Sequence, residues 1–298
     1  MQTTIAQLIA LTTWGNATLN KDQALSSYDF YPGNSTCRFC EFVHFADVKN
    51  NMRDWSHNAI ANSPSEWFEW LKREGVTNLR LCQGASDQAH PGIAHIPDRM
   101  LAGFIGGGGR WMIEATRPTG ADYWEARWEV GDRTQPDKKI WRVTYGWIAS
   151  HDCAAHDPSE GIAEIKARLA QSLTSIESFA RKHQLDGFAK AFDASLSCLT
   201  SAEPTTAVYH TDIAPPNFLP PAANQLLAAV QAAWVFGGMG SWNDLGFEEN
   251  DQKEYEVLSE ALYRLLNIAI VVAANTSATV HRVEVSAADG RTAWWRFW

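Results

Sequence analysis

The sequence predicts an α+β fold, with an antiparallel sheet of about five to six strands covered by a cluster of helices, chiefly on one face. Two observations predict it. Polar and apolar residues alternate over several stretches within 76–149, and apolar residues recur at helical spacing over 157–274. Because strands and helices are segregated along the chain instead of alternating, a parallel α/β fold is disfavoured.

The first part of the chain mixes helical and extended patterns. Residues 2–13 predict a short helix with one apolar side, and the aromatic-rich run 36–45 predicts a strand. Residues 46–61 predict another helix. The clearest helix start follows, because Ser63 can act as N-cap to a helix that begins at Pro64.

Four strands are predicted next, at 76–82, 110–117, 123–130 and 139–149. The last three show good alternation, with tryptophan and other apolar residues on one face and charge on the other. This alternation is typical of half-buried antiparallel strands. The short polar links between these three strands indicate a meander.

The second half of the chain is helical in its pattern. Helices are predicted at about 157–182, 186–199, 222–236 and 252–274. The chain then ends in a predicted C-terminal β-hairpin, 278–286 and 291–298, around a turn that contains Gly290. We expect this hairpin to add to the sheet.

We expect residues 1–298 to form a single compact domain, because an isolated hairpin is only marginally stable and needs a covering layer. An internal division near 151–157 is the alternative. It would separate a sheet-rich part, 1–150, from a helix-rich part with the terminal hairpin, 151–298.

Composition narrows the functional classes. The 298 residues carry a formal charge of −9, and no cluster of lysine and arginine could follow a phosphate backbone, so nucleic acid is disfavoured as a partner. The longest apolar run, 265–274, is too short to span a membrane. The first basic residue is Lys21, which argues against a secretory signal. Five scattered cysteines fit a reducing compartment, and we expect a cytoplasmic protein.

Fourteen tryptophans are the unusual feature of the composition. Most of them fall on the apolar faces of predicted strands and helices, and we expect these to be core residues. Those outside this pattern are Trp242, Trp294, Trp295 and Trp298.

Cys37 and Cys40 form a CxxC pair, followed by His44 and His57, which suggests zinc. On a strand, however, residues three apart point to opposite faces. No second CxxC is present either. We therefore expect structural thiols and no metal site.

The densest group of titratable residues is His151, Asp152, Cys153 and His156, between a predicted strand and a predicted helix. A thiol at a helix N-terminus can have a lowered pKa, with histidine as its base. The alternative is a polar connection in which Asp157 caps the helix.

His210 and Asp212 lie in a connection that contains several prolines. They could act as a base and its orienting carboxylate, or as two metal ligands. The alternative is a crossing segment with a surface histidine.

The loop 237–244 has the strongest binding signal. Gly238 and Gly240 allow a ligand to approach the backbone, and Trp242, Asn243 and Asp244 follow. It lacks the Lys-Ser/Thr ending of a phosphate-binding loop. The alternative is a helix end with Trp242 in the core.

Two further features have simpler interpretations. The four glycines at 106–109 precede a strand, so a bulge or loop is expected instead of a dinucleotide site. Glu125, Arg127 and Glu129 suggest paired carboxylates of a glycosidase, but charges on the exposed face of a strand are the common alternative. Glu114 is grouped with them as an exposed charge.

No motif identifies a reaction, so whether the protein is an enzyme stays open, and no cofactor or oligomeric state is implied. Our first hypothesis is a non-catalytic protein that binds a protein partner or a small-molecule ligand. The second is a hydrolase or transferase whose site combines His210 and Asp212 with the 237–244 loop. The third is a carbohydrate-binding protein with exposed tryptophan faces.

Overall fold

The computed structural model describes residues 1–20, 29–51, 53–55, 58–84, 96–151 and 161–278. Within these ranges one sheet has the strand order β2-β1-β6-β5-β4-β3. The strands are β1 (Cys40–Asp47), β2 (Ala59–Ala61), β3 (Asn78–Gly84), β4 (Arg110–Arg117), β5 (Gly120–Val130) and β6 (Trp141–His151).

Seven helices accompany this sheet in the described ranges. They are α1 (Thr3–Leu19), α2 (Pro64–Arg73), α3 (Asp98–Leu101), α4 (Ile162–Lys182), α5 (Asp186–Cys198), α6 (Pro221–Ala233) and α7 (Glu249–Asn275). Short 3-10 turns occur at Ser35–Cys37, Pro204–Ala207 and Trp242–Asp244. The predicted C-terminal hairpin and the proposed cap at Asp157 lie outside the described residues.

The predicted meander is confirmed, because β3, β4, β5 and β6 pair antiparallel in sequence order. The expectation of a purely antiparallel sheet is wrong. β1 pairs parallel with β6, so the sheet is mixed. The chain leaves β1 and returns through β2, α2 and the whole meander, and this long connection allows β6 to lie beside β1 in the same direction.

The helix predicted over 46–61 is also wrong within the residues described there. β1 continues to Asp47, and the chain then makes consecutive turns before β2. Lys49 N donates to Asp47 Oδ1 at 3.1 Å, and Arg53 N donates to Asn51 Oδ1 at 3.3 Å. Such side-chain bonds to nearby backbone amides compete with helix formation.

By contrast, the predicted start of α2 is confirmed. Ser63 Oγ accepts a hydrogen bond from Glu66 N at 3.2 Å, and Pro64 occupies the first turn. Glu66 Oε2 accepts in return from Asn62 N at 2.9 Å. The first bond satisfies a backbone amide that a helix start would otherwise leave unpaired, and the second holds the residue just before the N-cap.

Three of the tryptophans expected in the core are buried there, Trp67, Trp111 and Trp124, and five others are half-buried and pack against it, Trp70, Trp128, Trp141, Trp147 and Trp234. Phe45 and Trp67 stack with ring centroids 4.4 Å apart, and Trp124 meets Trp67 edge-on at 5.3 Å. Buried side chains of the sheet and of the helices join into one continuous apolar cluster. The aromatic surplus is therefore used mainly inside the protein, where such ring pairs contribute about 0.5–1.5 kcal/mol each.

The outer edge of β3 is closed by two asparagine side chains. Asn16 of α1 donates to Leu79 O at 2.8 Å and accepts from Leu79 N at 2.6 Å. Asn275 of α7 does the same for Leu81, at 3.0 and 2.7 Å. Each amide thus replaces the peptide group of a missing neighbouring strand.

Among the described helices, α7 is long and apolar enough to span a membrane by composition. It contacts α1, α4, α6 and β3, and more than half of its most apolar stretch is buried. These contacts fit the core helix of a soluble protein.

Candidate interaction surface

The segment that contains His210 and Asp212 is fastened to the turn at residue 35. The hydroxyl of Ser35 lies between His210 Nδ1, at 2.8 Å, and Asp212 Oδ1. Asp212 Oδ2 also accepts from Ser35 N at 2.7 Å. In a serine–histidine–aspartate relay the carboxylate orients the imidazole. Here the carboxylate binds the serine instead, so the order required for nucleophile activation is absent from these three residues.

The backbone of this segment is held from several sides. Trp14 Nε1 and Asn34 Nδ2 donate to Asp212 O at 2.9 and 2.7 Å. The side chain of Gln231, on α6, bonds both the N–H and the carbonyl of His210 at 3.1 Å. Burial lowers the pKa of His210 to about 4, so its imidazole is neutral at pH 7. These contacts join α1, α6 and the turn at residue 35.

His151 lies at the end of β6, with its ring centroid 5.3 Å from that of Tyr123. A small pocket of about 180 Å³ beside it is also lined by Asp122 and Arg117. The buried Asp122 carboxylate pairs with Arg117 and accepts from Ser150 Oγ at 2.8 Å. Cys153 and His156, the proposed partners of His151, lie outside the described residues.

The expectation that Glu114 is an exposed charge is wrong. Glu114 is fully buried, and its Oε2 accepts from the hydroxyl of Tyr123 at 2.7 Å. In the sheet register Glu114 pairs with Tyr123 on one side and Arg80 on the other. The burial of Glu114 follows from its partners on the neighbouring strands, which the sequence does not show. In the sequence, Glu114 is only a charged residue on the polar side of an alternating pattern.

The two thiols of the CxxC pair converge, contrary to the argument from a strand. The chain forms a 3-10 turn at Cys37, and Gln7 Nε2 lies 3.7 Å from Cys37 Sγ and 3.6 Å from Cys40 Sγ. Burial raises the pKa of Cys37 to about 12 and that of Cys40 to about 11. In the part of the chain that the structure describes, no group of three or more metal-ligating side chains is found.

In the 237–244 loop, Trp242 and Asn243 point inwards. Trp242 is fully buried, and its Nε1 donates to Ser259 Oγ at 2.7 Å. Asn243 Nδ2 donates to Arg99 O at 2.7 Å, and Asn243 Oδ1 accepts from Arg99 Nη1 at 3.3 Å. Direct ligand contact by the Trp242 ring is therefore not possible in this conformation, and the alternative of a core tryptophan describes its position.

Gly238, Gly240 and Asp244, the other predicted binding residues, lie on the surface. Gly240 has φ +82°, and its N–H donates to Asp244 Oδ2. This tight turn projects Met239 entirely into solvent. The loop is thus an anchored support for an exposed apolar side chain.

The segment between α3 and β4 touches this loop. A Cβ atom placed on Gly103 would lie 2.5 Å from Gly237 O, so only glycine permits the contact. Phe104, the next residue, is 68% exposed. Five large apolar side chains are exposed on the loop and on the stretch 96–105, which meet at this contact: Ile96, Met100, Phe104, Ile105 and Met239. We call these five residues the apolar ridge.

The apolar ridge rests on α7. Arg99 is almost completely buried, with Nε 3.6 Å from Glu260 Oε2 and Cζ 5.6 Å from the centre of the Tyr255 ring. Tyr263 Oη donates to Gly108 O at 2.5 Å. These contacts fix the base of the ridge while its apolar side chains remain in solvent.

Beside Ile105 a groove of about 330 Å³ opens onto the sheet. Trp55, Glu125 and Arg127 line it, and Arg127 Cζ lies 4.3 Å from the centre of the Trp55 ring. Glu125 is engaged by Arg110 Nη2 at 2.8 Å. Glu125 and Arg127 are therefore engaged within the protein, and Glu129 is exposed.

The three predicted groups lie in different neighbourhoods of the described chain. His210 contacts the turn at residue 35 and α6, Trp242 contacts α4, α5 and α7, and His151 contacts β5. What the loop does meet is the Gly103 segment, which the sequence did not single out as its partner. Comparisons with known protein families, with curated proteins and with solved structures found no match to this chain.

Proposed function

We propose that this protein is a non-catalytic interaction protein that binds a protein partner through the apolar ridge. One observation carries the proposal: five large apolar side chains are exposed on two short stretches of chain that meet where Gly103 contacts Gly237. Soluble monomers rarely expose contiguous apolar patches of this kind unless the patch is functional. Methionine and phenylalanine are also enriched where proteins meet.

The rigidity of the support favours the same proposal. The ridge is held by buried hydrogen bonds between Arg99 and Asn243 and by the close contact of Gly103 with Gly237. A preformed surface loses less conformational entropy on binding than a mobile one. The polar groups first considered for catalysis, at His210 and Asp212, are instead engaged in holding segments together.

Site-specific photocrosslinking in cells of the source organism tests the proposal. A photoreactive amino acid replaces Phe104 or Met239, with Ser175 and Lys190, which are exposed on α4 and α5, as control positions. We expect one and the same protein to be crosslinked from both ridge positions and from neither control. The purified partner should then bind the wild-type chain and lose affinity for Phe104→Ser.

Two results would contradict the proposal. One is that the ridge positions give no protein adduct. The other is that adducts form equally at the ridge and at the control positions, because this pattern describes random collisions with an exposed side chain.

A further inference from the structure

The apolar ridge is bordered by carboxylates. Glu249, Glu256 and Glu260 are exposed and follow one another at spacings of seven and four, which places them on one stripe of α7. Glu260 reaches Arg99 of α3, so this end of the stripe lies at the base of the ridge. Asp244 is exposed on the loop that presents Met239.

The nearby positive charges neutralise this border only in part. The guanidinium of Arg99 is buried behind the ridge, where only 6% of its side chain is accessible. Lys182 lies on the other side of α7, paired with Asp251 at 2.7 Å and Glu254 at 3.5 Å. On the stripe itself, two exposed cations, Lys253 and Arg264, accompany the carboxylates. Four carboxylates set against Arg99, Lys253 and Arg264 leave this border with one net negative charge, in a chain whose formal charge is −9. Arg127 lies elsewhere, at the groove beside Ile105.

We infer that the partner is a basic protein segment in which lysine or arginine residues surround an apolar centre. This inference rests on the proposed function of the ridge. Its apolar side chains would fill the centre of the interface, and the carboxylates of the stripe would meet the partner's cations at the rim. Charge complementarity of this kind speeds association and selects among apolar partners.

The same charges argue against two other occupants. A second copy of this chain, placed symmetrically on the ridge, would bring the Glu249–Glu256–Glu260 stripe close to its own counterpart. Like charges that meet in an interface disfavour association. An anionic lipid surface would be repelled in the same way, because it attracts basic segments and not acidic ones.

Two synthetic amphipathic peptides test the inference on the full chain. They form helices of about five turns with identical leucine and phenylalanine faces, and their polar faces carry only lysine or only glutamate. We expect the lysine peptide to bind, with an affinity that falls as the salt concentration rises from about 50 to about 500 mM. The glutamate peptide should not bind measurably.

Matched charge variants locate the effect. Glu249→Lys with Glu256→Lys should weaken binding of the lysine peptide by roughly tenfold or more, because attraction at the rim becomes repulsion. Glu74→Lys with Glu203→Lys makes the same change of net charge at exposed positions on other elements. This control pair should change the affinity less than about twofold. Phe104→Ser should abolish binding of the lysine peptide.

The failures of the two proposals are distinguishable. If both peptides bind equally and Phe104→Ser abolishes both, the ridge is a docking surface without charge selection, and only the inference is overturned. It is also overturned if neither peptide binds, if both pairs of charge variants act alike, or if Phe104→Ser has no effect on the lysine peptide. A concentration-dependent dimer, or binding to phosphatidylserine vesicles, that Phe104→Ser abolishes would assign the ridge to the other occupants. The photocrosslinking result judges the proposed function independently.

Discussion

The His210–Asp212 segment and the apolar ridge relate to their surroundings in opposite ways. In the segment, an imidazole, a carboxylate and two backbone carbonyls are all bound by side chains from α1, α6 and the turn at residue 35. On the ridge, apolar side chains such as Phe104 and Met239 end in solvent. The segment contains reactive residue types whose polar groups are already hydrogen-bonded within the protein. The ridge contains unreactive residue types whose side chains are exposed to solvent.

This difference bears on where a function is sought. Residue types that can perform chemistry are also the types that satisfy buried backbone groups, so their presence alone does not locate a site. Exposed apolar surface costs free energy unless something covers it. The exposed apolar ridge is therefore a better indication of a functional site in this protein than the His210–Asp212 segment.

Among the polar side chains, the largest effect on stability is expected for Asn16, whose hydrogen bonds are all made inside the protein. Asn16→Ala removes two hydrogen bonds from the backbone of Leu79 and one from Ser277 Oγ. Because it leaves buried backbone groups unpaired, we expect the free energy of unfolding in urea to fall by about 3 kcal/mol. Asn250→Ala, at an exposed position on α7, is the control, with an expected change within about 0.5 kcal/mol. A loss below about 1 kcal/mol for Asn16→Ala would mean that water replaces the amide.

Asp212→Ala should have the next largest effect. It removes the bonds to the N–H and the hydroxyl of Ser35, and we expect a loss of about 2 kcal/mol in the free energy of unfolding. Ser35→Ala should lose less, since the backbone bond to Asp212 remains. Asp193→Ala, exposed on α5, serves as control. Unchanged stability for Asp212→Ala would contradict a structural role, and Asp212 would again be a candidate functional residue.

The pH dependence of stability tests the burial of His210 in the same segment. The pKa of His210 is about 4 in the folded protein and about 6.5 in the unfolded chain, so between these values the unfolded state binds more protons. Stability should therefore fall as the pH is lowered from about 6.5 towards 4, and His210→Gln should show a shallower fall. Parallel curves for the two proteins in urea unfolding would contradict burial of a neutral imidazole.

The smallest effect on stability is expected on the ridge. Phe104→Ser changes a side chain that is 68% exposed, so we expect the free energy of unfolding to change by no more than about 0.5 kcal/mol. Phe192→Ser, at a fully buried ring against Trp242, provides the contrast and should lose about 3–5 kcal/mol. A large loss for Phe104→Ser would show that the ridge belongs to the core, and the comparison between the two regions would collapse.

Local patterns predicted the parts of the fold that local forces determine. The strands at 110–117 and 123–130 were found because period two is a property of the strand itself. The parallel pairing of β1 with β6 joins Val43 to Val143, and no local pattern records a partner so distant in sequence. The turns after Asp47 were missed because their stabilising bonds are made by short polar side chains, which also occur in helices.

The site was predicted only in part for a related reason. The 237–244 loop was singled out through its glycines, but the pattern did not reveal that Trp242 turns inwards and Met239 outwards. The ridge itself was missed. Ile96, Met100 and Phe104 are four residues apart, which normally predicts a buried helix face. α3 spans only Asp98–Leu101, so Ile96 and Phe104 lie outside the helix and the helical spacing does not describe their surroundings.

The two asparagines at the edge of β3 become available at different times during synthesis of the chain. Asn16 precedes β3 in the chain, so Leu79 can be covered as soon as the strand forms. Asn275 follows Leu81 by 194 residues, and a growing chain leaves this part of the edge open until α7 has been made. Over that interval, at about 5–20 residues per second, the outer backbone groups of Leu81 lack their partner from α7. Complete closure of this edge therefore requires the same helix that supports the base of the ridge.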